Sequence, residues 1–187
     1  DGIIRRFSTG QIRMSSAGLP ESFDPTVAAR EHFRWSGDVP VSSFVRLADL
    51  LVSTSGVVNV RLDAAYSADR RPAMTIRLAG HLEQSCQRCL QPVTVVIDHE
   101  HTVAWVADVS ELERLDALEE DSDVSEVEYL PMPDPALVVT LDFVEDELML
   151  SLPIVPMHGD CVLPESATAP AADHPFAALA QLKGLKH

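Results

Sequence analysis

The chain has 187 residues, with 14 Lys and Arg against 29 Asp and Glu, a formal charge of −15. That length is enough to bury a full core in one domain with tails, and a hydrophobic content of 46% is that of a globular chain. The longest uncharged stretch near the C-terminus, Leu148–Met157, is broken by Pro153 and Pro156. It falls short of the ~18 apolar residues that a spanning helix needs, so no membrane partner is expected.

Residues 1–23 read as a flexible N-terminal segment. Residues 2–20 hold Arg5, Arg6, Arg13 and several Ser and Thr, without an acid or apolar periodicity. No apolar stretch follows Arg5 and Arg6, so neither a secretory nor a twin-arginine signal is expected. The chain begins at Asp1, and Met14 is a candidate initiator. Asp24 as N-cap and Pro25 at the first helical position predict a short helix to about His32. Gly37 and Pro40 then read as an interruption. Phe44, Leu47, Leu50 and Leu51 recur at helical spacing behind Ser42 or Ser43 as a cap.

The period changes in the middle of the chain. Val58, Val60, Leu62 and Ala64 alternate with polar residues, as do Ile76, Leu78 and Leu82, and a third run extends from Val93 toward Val106. Short connections between such runs predict an antiparallel meander. Ser110 and Glu113 stand at capping-box spacing for a helical turn near 111–118. The run EEDSDVSE reads as an acidic loop, and PMPDP (131–135) as extended chain. Asp142 is the expected cap of a helix that presents Val144, Leu148 and Leu152 on one face and ends at Pro153. Residues 164–187 read as a linker and a short helical tail. The expected fold is α+β: one domain at 24–163, an antiparallel sheet with short flanking helices.

The charge is concentrated. Residues 98–147 hold 17 acids against Arg114 alone, whereas residues 1–97 hold 11 basic and 9 acidic side chains. Such a stretch is either a solvated surface or a patch that attracts a basic partner.

Three cysteines suit a reducing compartment, so cytoplasm is the expected location. Cys86-x-x-Cys89 lies in a turn between two predicted strands, and His158-x-x-Cys161 repeats the spacing far along the chain. These four residues are candidate ligands of a closed structural zinc site, for which tetrahedral thiolate and imidazole coordination is suited. The competing readings are a reduced, unliganded turn and a dithiol redox pair. The redox pair would need a strand feeding a helix N-terminus, whereas Pro92 and a β-branched run follow here. No Gly-rich phosphate loop is present among the 8 glycines. His99 and His101 alternate on one strand face and read as structural. Glu145, Asp146 and Glu147 read as solvent-facing residues that complement a helix dipole. Nothing in these patterns argues for an enzyme.

Three blocks in this order, CQRCLQP at 86–92, VEDELMLSLPIVPMHGDC at 144–161 and HPFAALAQLK at 174–183, resemble the YceD family, the large ribosomal RNA subunit accumulation proteins of bacteria and plastids. The resemblance covers most of the chain from about Asp24. It implies a non-enzymatic role in the synthesis, processing or accumulation of large-subunit ribosomal RNA, with no catalytic residue to carry over. Cys86 and Cys89 match the family's cysteine turn, and Arg88 its central basic residue. Glu145, Asp146 and Glu147 match the acidic helix, while His158 and Cys161 match the segment after the double proline. Some relatives carry several cysteines there, where this chain has only His158 and Cys161, and His174 stands where relatives commonly show Asn.

The expected partner is large-subunit ribosomal RNA or a precursor particle, with DNA not expected. Arg70, Arg71, Arg77, Arg88, Lys183 and Lys186 are the candidate RNA contacts. The alternative is an acidic adaptor that shields a basic ribosomal protein without touching RNA. In that reading Phe176, Leu179 and Leu182 in the tail form the docking face.

Overall fold

The computed structural model describes residues 14–119 and 127–164. The expected Lys183, Lys186, Phe176, Leu179 and Leu182 contacts, most of the EEDSDVSE run, and the tail lie outside the described residues. Among the described residues, twelve elements follow in chain order, one of them a 3₁₀ turn. A two-residue strand β1 (Ser22–Phe23) leads into helix α1 (Pro25–Arg30), where the Asp24 carboxylate accepts from the Val27 N–H at 3.0 Å. Strand β2 (Arg34–Pro40) and the 3₁₀ turn Val41–Ser43 precede α2 (Val45–Ala48). Strands β3 (Val57–Tyr66), β4 (Pro72–Ser85) and β5 (Pro92–Val106) carry the chain to α3 (Val109–Glu119). Strands β6 (Val127–Pro131) and β7 (Val138–Val139) and helix α4 (Thr140–Ser151) complete the order.

This is the α+β fold the patterning implied. Strands β2 to β5 form an antiparallel meander, and β6 adds to β5 in parallel, giving the order β2-β3-β4-β5-β6. The parallel edge departs from the purely antiparallel expectation because α3 lies between β5 and β6 in the chain, and a parallel pair requires such a crossover. Strand β1 pairs with β7 in a second, two-stranded sheet.

Four local readings are corrected. Residues 34–40 form a strand rather than a break: Trp35 and Val39 are buried and alternate with exposed Arg34, Ser36, Asp38 and Pro40. Pro40 is tolerated because it ends an edge strand. Gly37 leaves room for its neighbour, since a Cβ there would meet the Trp35 ring at 2.9 Å. Helix α4 starts at Thr140 with Val139 as its cap, so Asp142 lies inside the first turn. Neither Ser42 nor Ser43 caps α2. Finally, Leu19 and Phe23, within the segment read as flexible, are buried in the core.

One face of the sheet carries Val58, Val60, Leu62, Met74, Ile76, Leu78 and Leu82, all buried. Both α1 and α4 contribute to the same apolar cluster through Ala28, Phe143, Val144 and Leu148. Phe23, Trp105 and Phe143 meet there, with Phe23 edge-on to both others at 5.8 and 5.9 Å between ring centres.

The box at the start of α3 sits two residues before the expected Ser110–Glu113 pair. Asp108 accepts from the Glu111 N–H at 2.9 Å, and Glu111 accepts from the Ala107 N–H at 2.9 Å. That N–H, and then Arg71 at 2.9 Å, hold the Glu111 carboxyl below its ordinary 4.5. A depressed folded value means stability that is complete above the unfolded value and lost as pH falls through the folded one. The gap in urea midpoint between wild type and Glu111→Gln is therefore expected to close as the pH is lowered below 4.5. A gap that persists in acid would assign it to packing instead.

Candidate metal centre

Strand β4 ends at Ser85 and β5 begins at Pro92, and the six residues between them fold into a tight knuckle. The Cys86 N–H donates to the Gln91 carbonyl and the Leu90 N–H to the Cys86 carbonyl, both at 2.9 Å. Leu90 adopts a positive φ of 62° to close this loop. A second segment runs out of α4 at Leu152. Pro153 cannot continue the helix, and the chain crosses to the knuckle, where the Gln87 N–H donates to the Pro156 carbonyl at 2.9 Å.

That crossing brings all four expected ligands together. Cys86 Sγ lies 3.8 Å from Cys161 Sγ, and Cys89 Sγ lies 3.4 Å from His158 Nδ1. The four ligand atoms fall within 4.8 Å of one another. For a tetrahedral ion with Zn–S about 2.3 Å and Zn–N about 2.0 Å, the ligand edges are about 3.8 Å (S to S) and about 3.5 Å (S to N). The imidazole is oriented for the task. His158 Nε2 sits 3.0 Å from the Pro92 carbonyl, which only accepts, so the proton belongs on Nε2 and Nδ1 faces the thiol of Cys89 with its lone pair.

The thiols differ in charge. The Cys89 N–H leads the groups that hold Cys86 down to about 5 against its burial, followed by the N–H groups of His158 and Arg88 and the Cys89 thiol. Burial, then the neighbouring Cys86 and Cys89, pushes Cys161 up. The knuckle thus offers one ready thiolate, and the donor set fits a structural zinc ion. A lowered thiol also suits dithiol chemistry, but Cys86 is fully buried, closed to a substrate disulfide.

Around the knuckle the surface is apolar. Leu90, Ile154, Val155, Met157, Val162 and Leu163 are all exposed. Arg88 lies among them and donates to the Cys161 carbonyl at 3.4 Å.

Similarity to known proteins falls on the same parts of the chain. A family model described as "Large ribosomal RNA subunit accumulation protein YceD" matches residues 74–183. The chain belongs to the YceD family. The YceD match takes in the cysteine knuckle, α4 and the crossing segment together. A relative named "Large ribosomal RNA subunit accumulation protein YceD" from Haemophilus influenzae (strain ATCC 51907 / DSM 11121 / KW20 / Rd) is 28% identical over 182 residues, covering 91% of this chain and 99% of its own. No solved structure matches the chain.

The arginines expected at RNA are differently placed. Arg71 is drawn into the fold: it pairs with Asp69 and Glu111 and stacks over the Tyr129 ring at 5.4 Å. Arg77 pairs with Glu100 across the exposed sheet face at 2.7 Å. Arg70, in the β3–β4 turn with φ 65°, is exposed and its side chain has no ion-pair partner among the described residues.

Sequence reasoning missed two buried carboxylates. Glu145 and Glu147, read as solvent-facing, are each 4% exposed. Glu145 reaches across to α2, accepting from the Arg46 N–H at 2.6 Å, the Leu47 N–H at 2.9 Å and the Arg46 guanidinium at 2.9 Å. It is the cap that neither Ser42 nor Ser43 supplies. No local signal announces a cap ninety-nine residues away.

Proposed function

We propose that this chain is a non-enzymatic factor that supports accumulation of large-subunit ribosomal RNA in the cytoplasm, and that it acts by holding a basic protein of the precursor particle. The role is the one that names both the relative and the family. The mode follows from charge and surface: the acidic stretch at 98–147 favours a basic partner over phosphate, while two of the expected RNA contacts already pair with carboxylates. The exposed apolar rim on the knuckle supplies the contact area that an electrostatic encounter lacks. Among the described residues this rim, with Arg88 at its centre, supports protein docking best.

Direct RNA contact is the second reading, favoured by Arg70, which stands exposed and unneutralised, and by Arg88. Lys183 and Lys186 belong to the same reading.

Purification of the tagged full chain from cells, with and without nuclease, tests the two. A large-subunit protein that stays bound after digestion supports the adaptor. Loss of all partners on digestion, with affinity for a large-subunit RNA fragment that falls steeply with salt, supports RNA contact. Unchanged large-subunit RNA levels on depletion would overturn both. Within this test, Arg70→Ala and Arg88→Ala are each expected to lower RNA affinity and to flatten its salt dependence by about one released ion, if RNA is bound. Arg71→Ala is expected to lower the thermal midpoint and leave the salt slope alone, because its charge is spent on Asp69 and Glu111.

A further inference from the structure

Glu147 has no Lys or Arg beside it among the described residues. Its side chain is 5% exposed, and its partners are two histidines of β5: His101 Nδ1 at 3.0 Å and His99 Nε2 at 3.4 Å, both on the same carboxylate oxygen. A buried carboxylate is costly without a cation, and an imidazole carries charge only when protonated. Neighbouring Glu145 has the Arg46 guanidinium for this purpose, whereas Glu147 has only the two rings.

We infer that His99, His101 and Glu147 form a second divalent-metal site, separate from the cysteine knuckle and built from nitrogen and oxygen alone. The sheet register places both rings for it. His99 stands opposite Leu78 and His101 opposite Ile76, so the two imidazoles share the inward face of β5, where α4 packs. The rings lie 5.9 Å apart between centres, and the three ligand atoms fall within 4.8 Å of one another. Two imidazoles and one carboxylate are the donor set of zinc and ferrous sites that leave positions open. The histidine side chains are 29% and 24% exposed, so solvent reaches the cluster, and the remaining positions would take water or an anionic oxygen.

An outer partner completes the arrangement. Glu128 on β6 lies 3.6 Å from His101 Nε2, on the opposite edge of the ring from Glu147. At that distance Glu128 is an ion-pair partner rather than a hydrogen-bond acceptor, and its charge favours a proton on Nε2, the edge of the ring away from Glu147. The ion would tie β5 and α4 together and replace the imidazole N–H groups as the positive partner of Glu147. This inference is independent of the ribosomal reading and stands or falls without it.

Cobalt(II) titration of the full metal-stripped chain tests it, because thiolate ligands give ultraviolet charge-transfer bands and nitrogen–oxygen sites do not. The expected result is two equivalents, one with thiolate charge transfer and one with visible ligand-field bands alone. His99→Gln and His101→Gln are expected to abolish the second equivalent and preserve the first, whose retention reports that the chain is folded. Glu147→Gln is expected to weaken the second equivalent by at least about tenfold. Saturation of the wild type at the thiolate equivalent alone overturns the site, whatever the variants do. So does a second equivalent that survives both histidine substitutions.

Discussion

Glu145→Ala is expected to destabilise the fold by about 3 kcal/mol, lowering the thermal midpoint by roughly 6–12 °C for a chain of this size. The carboxylate serves two helices at once. It rides on α4, buried, and accepts the first free N–H groups of α2, those of Arg46 and Leu47. Losing a helix cap costs about 1–2 kcal/mol, and leaving the Leu47 N–H buried without an acceptor adds about 1–3 kcal/mol. Glu145→Gln keeps an acceptor oxygen and is expected to cost less. Arg46→Ala is expected to cost less still, because that side chain is 48% exposed and its ion pair is screened by water. Thermal unfolding followed by circular dichroism orders the three. A neutral Glu145→Ala would mean that α2 is held by Leu47 and Phe44 packing alone.

Removal of metal from the cysteine knuckle is expected to release residues 153–164 from the hairpin while leaving the sheet folded. None of the four ligands belongs to the contacting apolar cluster, although Cys86 is itself buried, so the cluster does not depend on them. The crossing segment, by contrast, has few buried residues: Pro153, Ile154, Val155 and Met157 are all exposed, and Pro156 alone is buried in that run. Its attachment rests on the hydrogen bonds of Gln87 to Pro156, His158 to Pro92 and Arg88 to Cys161, to which an ion held by the four ligands would add. At a metal concentration one hundred times the dissociation constant, binding contributes about 2.7 kcal/mol to the closed form. Amide exchange at Gln87 is accordingly expected to accelerate by about a hundredfold on chelation, with the β-sheet circular dichroism retained. Cys161→Ser should reproduce the effect, since it removes a ligand without touching the hairpin. Unchanged exchange at Gln87 in chelator would return the cysteines to a reduced, unliganded turn.

Much of the fold was legible from alternation. The runs at 58–64, 76–82 and 93–106 became β3, β4 and β5, because one buried face imposes a period of two on a strand. Asp24 and Pro25 opened α1 as expected, since their effect is local. Strand β2 was hidden by Gly37 and Pro40, which read as breakers until the Trp35 ring is seen over one and the sheet edge beside the other. The inward phase of His99 and His101 was present in the alternation that runs from Ile97 to Val103, but nothing local says what stands opposite them.

The amino-acid order therefore determined the three long strands, the opening of α1, the acidic imbalance and the two half-sites of the knuckle, because each depends on neighbours a few residues apart. Tertiary structure alone decided which carboxylates are buried and whom they serve. Glu145 and Glu147 lie two residues apart on α4, yet one meets the backbone of α2 and the other two rings of β5. Those outcomes depend on how α4 crosses the sheet, and burial is a property of the packed chain rather than of any segment.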